Sequence, residues 1–279
     1  MRGDRVCIDG TLRERNGTEF DTDRLLSSGY LYQRIHTLAH RPLHLAAHTQ
    51  RLTESYRALY GTVPAADEET LRREIALTLE ENRYPAVSNL VTLYLFPPRD
   101  GRPGPRMVSC TETLVYPGYT LWHSRLKAVT LPYDYPFPEH ETALSRIAHT
   151  FAGEYARRTG YDLALTENGQ GVVTGAGENP LFAVCGDTVL TTPVESGVAE
   201  SVLRRLGLEL CREAGVSVRE ETLTVETLRR CDELFCLTPQ GVVSLLEWDG
   251  RMGFNITAEK LGALLERAAR KKNFEFGIR

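Results

Sequence analysis

Lysine is nearly missing from this chain. Lys127, Lys260, Lys271 and Lys272 are the whole complement among 33 basic residues. Chemistry that needs a primary amine therefore has few places to occur. Arginine carries the remaining positive charge, a bias that high-GC coding alone produces. No apolar run approaches membrane-spanning length, and Met1-Arg2-Gly3-Asp4-Arg5 holds no apolar segment of the signal-peptide kind. The chain is therefore expected to be cytoplasmic, with no membrane partner. Cysteines at positions 7, 110, 185, 211, 231 and 236 form no C-x-x-C pair and no metal-like cluster. Most lie in apolar runs such as Phe182-Ala183-Val184-Cys185, where a thiol packs as a small hydrophobe, so a reduced chain is expected. A formal net charge of -4 supplies no basic field for nucleic acid. G-x-G-x-x-G and G-x-x-x-x-G-K-[ST] are both absent, which removes the usual nucleotide cradles. Ser145 and Ser201 lack a nucleophile-elbow context.

What is present is the patterning of an ordinary globular protein, 42% hydrophobic and 25% charged over 279 residues. Arg5 to Leu12 reads as a short strand with a turn at Asp9-Gly10, and Gly29 to Leu38 alternates as a second strand. Leu45 to Tyr60 carries Leu45, His48, Leu52, Tyr56 and Leu59 at helical spacing, ended by Gly61. Asp67 caps a helix running to about Asn82. Strands follow at Leu90–Phe96 and Met107–Tyr116. Three prolines in Leu131 to Pro138 disfavour helix and central strand, which predicts an interdomain linker. Beyond it the pattern gives a helix over Ala143–Arg158 and strands at Asp162–Thr166, Val172–Thr174 and Leu181–Leu190. A helix over Ala199–Ala214 precedes a strand at Val216–Glu220 and a short helix capped by Thr224. Strands at Glu233–Leu237 and Val242–Trp248 lead to a closing helix, Thr257–Lys272. Strands and helices are mixed rather than alternating, which predicts an α+β fold. The expected division is 1–120, a linker 121–138, and 139–279.

His36, His40, His44 and His48 recur every four residues. His36 falls on a strand and His40 in a turn, so the spacing does not hold one face, and no Glu follows His44 as H-E-x-x-H requires. The expectation is surface and capping histidines and no metal.

Several segments resemble one family in a fixed order. His48-Thr49-Gln50-Arg51-Leu52-Thr53-Glu54-Ser55 is similar to the H-x-x-R-L-x-x-S helix of class IV aminotransferases, the fold-type IV pyridoxal-phosphate proteins. That group holds branched-chain and D-amino-acid aminotransferases and aminodeoxychorismate lyase. Tyr32-Gln33-Arg34-Ile35-His36 resembles the family's F-E-T-I-R strand. Asp162-Leu163-Ala164-Leu165-Thr166, followed by Gly171-Val172-Val173-Thr174, resembles D-x-A-L-L … G-x-V-T-E. Val189-Leu190-Thr191-Thr192-Pro193 with Ser196-Gly197 resembles L-x-T-P … G-I-L-P-G-I-T-R. Asp232-Glu233-Leu234-Phe235 and Thr238 resemble D-E-V-F-L-T-G-T, with Asp249-Gly250-Arg251 at the usual hairpin. The match covers nearly the whole chain and implies a two-domain, D-amino-acid aminotransferase-like architecture.

The resemblance also implies a site. Arg51 matches the arginine that grips the cofactor phosphate, where a guanidinium fork suits phosphate oxygens. Backbone amides at Ser201 and Val202 open a helix and suit an anion, although Leu203 replaces the family threonine and Ser201 the glycine. Thr238 offers a hydroxyl, with Pro239 next to it. Tyr32 and His36 fall in the substrate cleft. The implied partners are a small amino or keto acid and a second subunit in a homodimer.

Departures from the family pattern bear on mechanism. Its Schiff-base lysine aligns with Glu141 in Glu139-His140-Glu141-Thr142, and no lysine occurs between Lys127 and Lys260. A carboxylate forms no imine and repels a phosphate; the lysine is also the family's proton shuttle. Gly175 stands where a glutamate pairs with the pyridine nitrogen, and Glu178 would have to reach in through a flexible Gly175-Ala176-Gly177 loop. Gln33 replaces a strand glutamate. Three readings follow. One is a non-transaminating relative whose pyridoxal phosphate is non-covalent or absent. Another is an enzyme of altered acid–base chemistry using Glu141 and His140. The last is an ordinary aminotransferase or lyase.

Overall fold

The computed structural model describes residues 5–15, 17, 21–114 and 122–269. The expected strand end at Tyr116 and helix end at Lys272, with Lys271 and Lys272, lie outside the described residues. The chain divides into two compact units: described residues up to 114 together with Glu141–Ala143, and the remainder from 122 onward.

The first unit opens with a hairpin of β1 (Arg5–Ile8) and β2 (Thr11–Glu14), closed by Asp9 and Gly10 at positive φ. A short helix that the sequence pattern did not announce, α1 (Thr22–Leu26), is capped by Asp21 accepting from the Arg24 amide. Then come β3 (Leu31–Leu38), β4 (Arg41–Pro42), α2 (Leu45–Tyr60), α3 (Glu68–Glu81), β5 (Ser88–Leu95) and β6 (Arg106–Leu114). The strands form one antiparallel sheet in the order β2-β1-β6-β5-β3-β4. α2 stops at Gly61, whose φ of 69° a glycine adopts without penalty, and α3 starts at Asp67 accepting from the Thr70 amide. Leu45, Leu52 and Tyr56 of α2 and Leu71, Ile75 and Leu79 of α3 pack on Leu31, Ile35, Val91 and Val108. Each such aliphatic side chain contributes roughly 1.5–3 kcal/mol on burial. The sheet's other face carries Tyr32, Tyr94, Phe96 and Met107.

The second unit contains β7 (Trp122–Pro132), α4 (Ala143–Arg158), β8 (Leu163–Glu167), β9 (Val173–Ala176), β10 (Leu181–Cys185) and β11 (Thr188–Thr191). It continues through α5 (Val202–Glu213), β12 (Ser217–Glu220), α6 (Val225–Leu228), β13 (Glu233–Thr238), β14 (Gly241–Trp248), β15 (Arg251–Met252) and α7 (Ile256–Ala269). The main sheet runs β12-β11-β10-β13-β14-β7-β8-β9, with β15 on β14. β7 pairs in parallel with β14 and β8, whereas β10, β13 and β14 are antiparallel neighbours. α5 approaches this sheet closely at Gly207, where a Cβ would lie 2.3 Å from the Phe182 ring; Phe182 in turn stacks on Phe235 at 5.2 Å. The mixed α+β architecture matches the sequence pattern.

Several expectations are corrected here. The stretch 121–138 holds a central strand: β7 occupies 122–132, with Ala128 fully buried, and Pro132 sits at its last position, where a missing N–H costs least. The single strand expected over Leu181–Leu190 is two strands turned at Gly186, φ 64°. Cys185 is not a free thiol, because it is joined to Cys231 by a disulfide with the Cα atoms 4.3 Å apart. β13 pairs alongside β10 and brings the end of α6 to the end of β10, which places the two sulfurs together. Cys7, Cys110, Cys211 and Cys236 are buried thiols. Among the described residues no helix is long and apolar enough to cross a membrane.

Candidate functional site

α2 buries two rows of side chains. One is the apolar row already described; the other is His48, Arg51 and Ser55, at a spacing that places them on one side of the helix. A polar row inside a domain needs partners to offset desolvation. His48 finds one across the interface with β3: its Nδ1 lies 2.6 Å from Gln33 Oε1. Gln33 shares its sheet face with Leu31 and Ile35, in accord with strand alternation. The Gln33 amide nitrogen donates in turn to Glu141 Oε2. Because that amide donates through Nε2, its oxygen accepts, which fixes His48 as the neutral tautomer protonated on Nδ1. The direction of the chain is therefore His48 to Gln33 to Glu141.

Main-chain bonds hold Glu141 in place. The Tyr32 amide donates to the Glu141 carbonyl at 3.0 Å, the Ala143 amide donates to Tyr30 O at 2.9 Å, and Leu31 bridges Thr142. Residues 141–143 are thus annexed to the start of β3. Glu141 itself is half-buried.

The expected surface histidines are corrected. His36, His44 and His48 are buried, and only His40 is partly open, with its Nε2 on Tyr84 O. Strand β3 and the start of α2 fold together, so residues that the linear spacing separated converge. His44 occupies the N-cap position of α2 at φ 53° and makes no side-chain cap. Burial, reinforced by His44, lowers His48 to about 3; burial, reinforced by His36, lowers His44 to about 4. Among the described residues no cluster suits a metal ion.

These shifts carry a prediction. In the unfolded chain both imidazoles take up a proton near pH 6.5, whereas the folded chain holds them neutral down to about 4 and about 3. The unfolded state binds more protons across that interval, so stability is full above pH 6.5 and falls as the pH drops. Denaturation midpoints between pH 6.5 and 5 should follow a slope worth about two protons, and His48→Gln should remove about one. A profile unchanged by that substitution would contradict the buried neutral His48.

Arg51 is buried, not solvated, with Nη1 3.8 Å from Glu54 Oε2. Tyr32 points to the opposite sheet face from Gln33 and packs edge-on to Tyr30 at 6.1 Å. His36 shares that strand parity and is buried. The first unit thus brings Glu141, Gln33 and His48 together, with Arg51 on the same helix row, and turns Tyr32 away.

In the second unit His140 is buried, its amide donating to Phe137 O and its Nε2 3.7 Å from Glu139. Ser201 caps α5 by accepting from the Arg204 amide at 3.1 Å, and Val202 is the first helical residue. First-turn amides have no intrahelical acceptor, so this end suits an anion. Arg204 behind it, a buried residue the sequence pattern did not single out, donates to Thr192 O and Glu220. Thr238 spends its one proton on Gly241 O and accepts from the Gln240 amide, so its hydroxyl closes the β13–β14 turn. The loop expected to carry Glu178 inward is not slack: Thr166 pairs with Gly175, Leu165 with Ala176, and Ala176 exchanges hydrogen bonds with Asn179. Glu178 instead lies in the electrostatic neighbourhood of Tyr133, whose hydroxyl burial pushes up to about 12. Tyr133 also bridges His149 Nδ1 at 2.9 Å and Thr166 Oγ1 at 2.7 Å, a cluster that sequence spacing did not reveal.

The described lysines are engaged elsewhere. Lys127 pairs with Glu247 at 2.8 Å, and Lys260 donates to Ala214 O at 2.9 Å.

Comparison with known proteins gives a family. Residues 31–247 match the model of amino-transferase class IV. A Methanocaldococcus jannaschii protein named "Putative branched-chain-amino-acid aminotransferase" is 28% identical over 240 residues, 81% of this chain and 80% of that one. In fold the chain is similar to the branched-chain aminotransferase of Thermoproteus uzoniensis, with a TM-score of 0.81 and 18% identity over 96% of this chain and 95% of that. It is similar also to a hypothetical aminotransferase of Mycobacterium tuberculosis in its PLP-bound form, with a TM-score of 0.80 and 18% identity over 96% and 100%. The chain belongs to the class IV aminotransferase family.

Proposed function

We propose that this family member does not transaminate through a lysine-bound cofactor, because Glu141 occupies the position from which the lysine would act. One observation carries the reading: the Glu141 carboxylate is anchored by its own main chain to β3 and accepts from the Gln33 amide. In the first unit Arg51 fits the phosphate of pyridoxal phosphate, while the described lysines Lys127 and Lys260 are engaged elsewhere. Arg51 would bind the phosphate by charge and forked hydrogen bonds. The ligand is held non-covalently or not at all, beside a small amino or keto acid, in a homodimer.

The test is direct. Purified protein mixed with pyridoxal phosphate should gain no stable yellow absorbance, and borohydride treatment followed by peptide mass mapping should show no modified lysine. A reduced adduct on any lysine would sink the proposal. A second reading, acid–base catalysis without the covalent bond, is favoured by the same carboxylate, since a half-buried, oriented Glu can accept or release a proton. His140 is its sequence neighbour. Activity on small amines or carboxylates that survives Glu141→Gln would remove Glu141 from that role.

A further inference from the structure

In the second unit α4 turns an apolar stripe to either side. On the inner side Ala152 and Ala156 pack with Ala164, Val129 and Leu131. On the outer side, where a surface helix ordinarily carries polar groups, it exposes Leu144, Ile147, Phe151 and Tyr155, Phe151 most of all at 72%. Their intervals of three, four and four residues line them up along one flank. A groove of about 480 Å³ runs beside that flank, between residues 131–134 and Ala148, Phe151, Ala152 and Tyr155 of the helix. The groove and the exposed ring at its edge are a hole and a knob on one surface. Contiguous apolar surface of this kind marks a contact site. Unlike charges stand at its two ends. α4 leads into β8 through Asp162, whose amide donates to Lys127 O at 2.8 Å, so Arg158 lies toward the middle of β7 and Asp134 beyond its end. Asp134 accepts from the Gly169 amide at 2.8 Å, and Arg158 lies over the Tyr155 ring at 5.4 Å. Among the described residues neither meets a partner of opposite charge.

We propose that this flank of α4 binds a second copy of the chain, each Phe151 seated in the other's groove and each Asp134 facing the partner subunit's Arg158. This names a surface for the homodimer of the reading above and rests on that part of it. A two-fold axis beside Phe151 reverses the helix direction in the second copy, so one patch must complement itself. The reversal sets Ile147 opposite the partner's Tyr155 and carries the basic end of each helix to the acidic end of the other. Both unpaired charges are then answered at the rim, with the aromatic ring at the centre. A buried aromatic anchor ringed by polar contacts is the arrangement that concentrates binding energy.

Sedimentation equilibrium on the full chain tests the surface. The unaltered protein should be a dimer, and Phe151→Ala should weaken it by about thirtyfold or more, the scale of a central anchor. Because Phe151 is exposed in the single chain, its loss should leave the urea midpoint of the monomer unchanged. Asp134→Arg sets like charges together at both ends of the paired helices, and so does Arg158→Asp. Each variant alone should dissociate more readily, whereas an equimolar mixture should form mixed dimers, since each variant supplies the charge that the other lacks. That rescue is something a variant that merely misfolds would not give. A dimer left intact by Phe151→Ala, or charge variants that do not pair on mixing, would overturn this surface while leaving the homodimer standing. An unaltered protein that stays monomeric would overturn the homodimer itself, and neither result touches the borohydride test of the absent lysine.

Discussion

Replacing Glu141 with lysine is expected to convert a protein that holds no covalent pyridoxal phosphate into one that retains about one adduct per chain after borohydride. The local structure allows the exchange. Position 141 is set by its carbonyl on the Tyr32 amide and by the neighbouring bond from Ala143, and neither depends on the side chain. An introduced ammonium would meet the Gln33 amide nitrogen, a clash of donors. Gln33 can relieve it by turning its oxygen toward the new amine, after which His48 accepts through Nδ1 from the turned amide. A neutral imidazole serves either role by moving its proton to the other nitrogen, and the depressed pKa of His48 keeps it neutral while doing so. Mass mapping of the reduced variant should locate the adduct at position 141. A folded variant that takes up no cofactor would show that position 141 does not face the ligand.

The largest stability effect expected is at Glu74. This buried carboxylate on α3 receives both Arg106 Nε contacts at 2.9 Å and an Nη2 contact at 2.5 Å from the start of β6. Arg106 adds Ala65 O at 2.9 Å and Asp9 at 3.3 Å. The pair fastens helix to sheet across the first unit. Removing one partner leaves a mostly buried guanidinium with the weaker of its carboxylates. Glu74→Ala should cost about 3–5 kcal/mol, whereas removing both charges with apolar residues of similar volume should restore part of that loss. Urea midpoints read both. A loss below about 1 kcal/mol for Glu74→Ala would place the pair among ordinary surface bridges.

Local rules in the sequence were enough to locate α2 and α3, because Gly61 and Asp67 are chemical stop and start signals that act within one turn. α4 likewise follows from its spacing. β7 was hidden because prolines at its end read as a linker, while its place depends on pairing with β14 and β8, more than thirty residues away in either case. The site was legible only in part. Arg51 and Glu141 could be singled out by their place in the family order, but the bond from Gln33 to Glu141 spans 108 positions. No periodicity carries information over that range. The buried histidines illustrate the same limit: a four-residue spacing crossing a strand, a turn and a helix has no common face, yet tertiary folding buries His36, His44 and His48. Tyr133 comes from the loop after β7, His149 from α4 and Thr166 from β8, and the cluster was invisible for that reason.

The bond between Cys185 and Cys231 makes a covalent ring of the chain between them, with a sequence separation of 46. That ring encloses β11, α5, β12 and α6, and therefore the helix start at Ser201 and Val202. A single protease cut inside it cannot release a fragment. Such nicked protein would migrate as one species without reductant and as two with it, each piece ending within the ring.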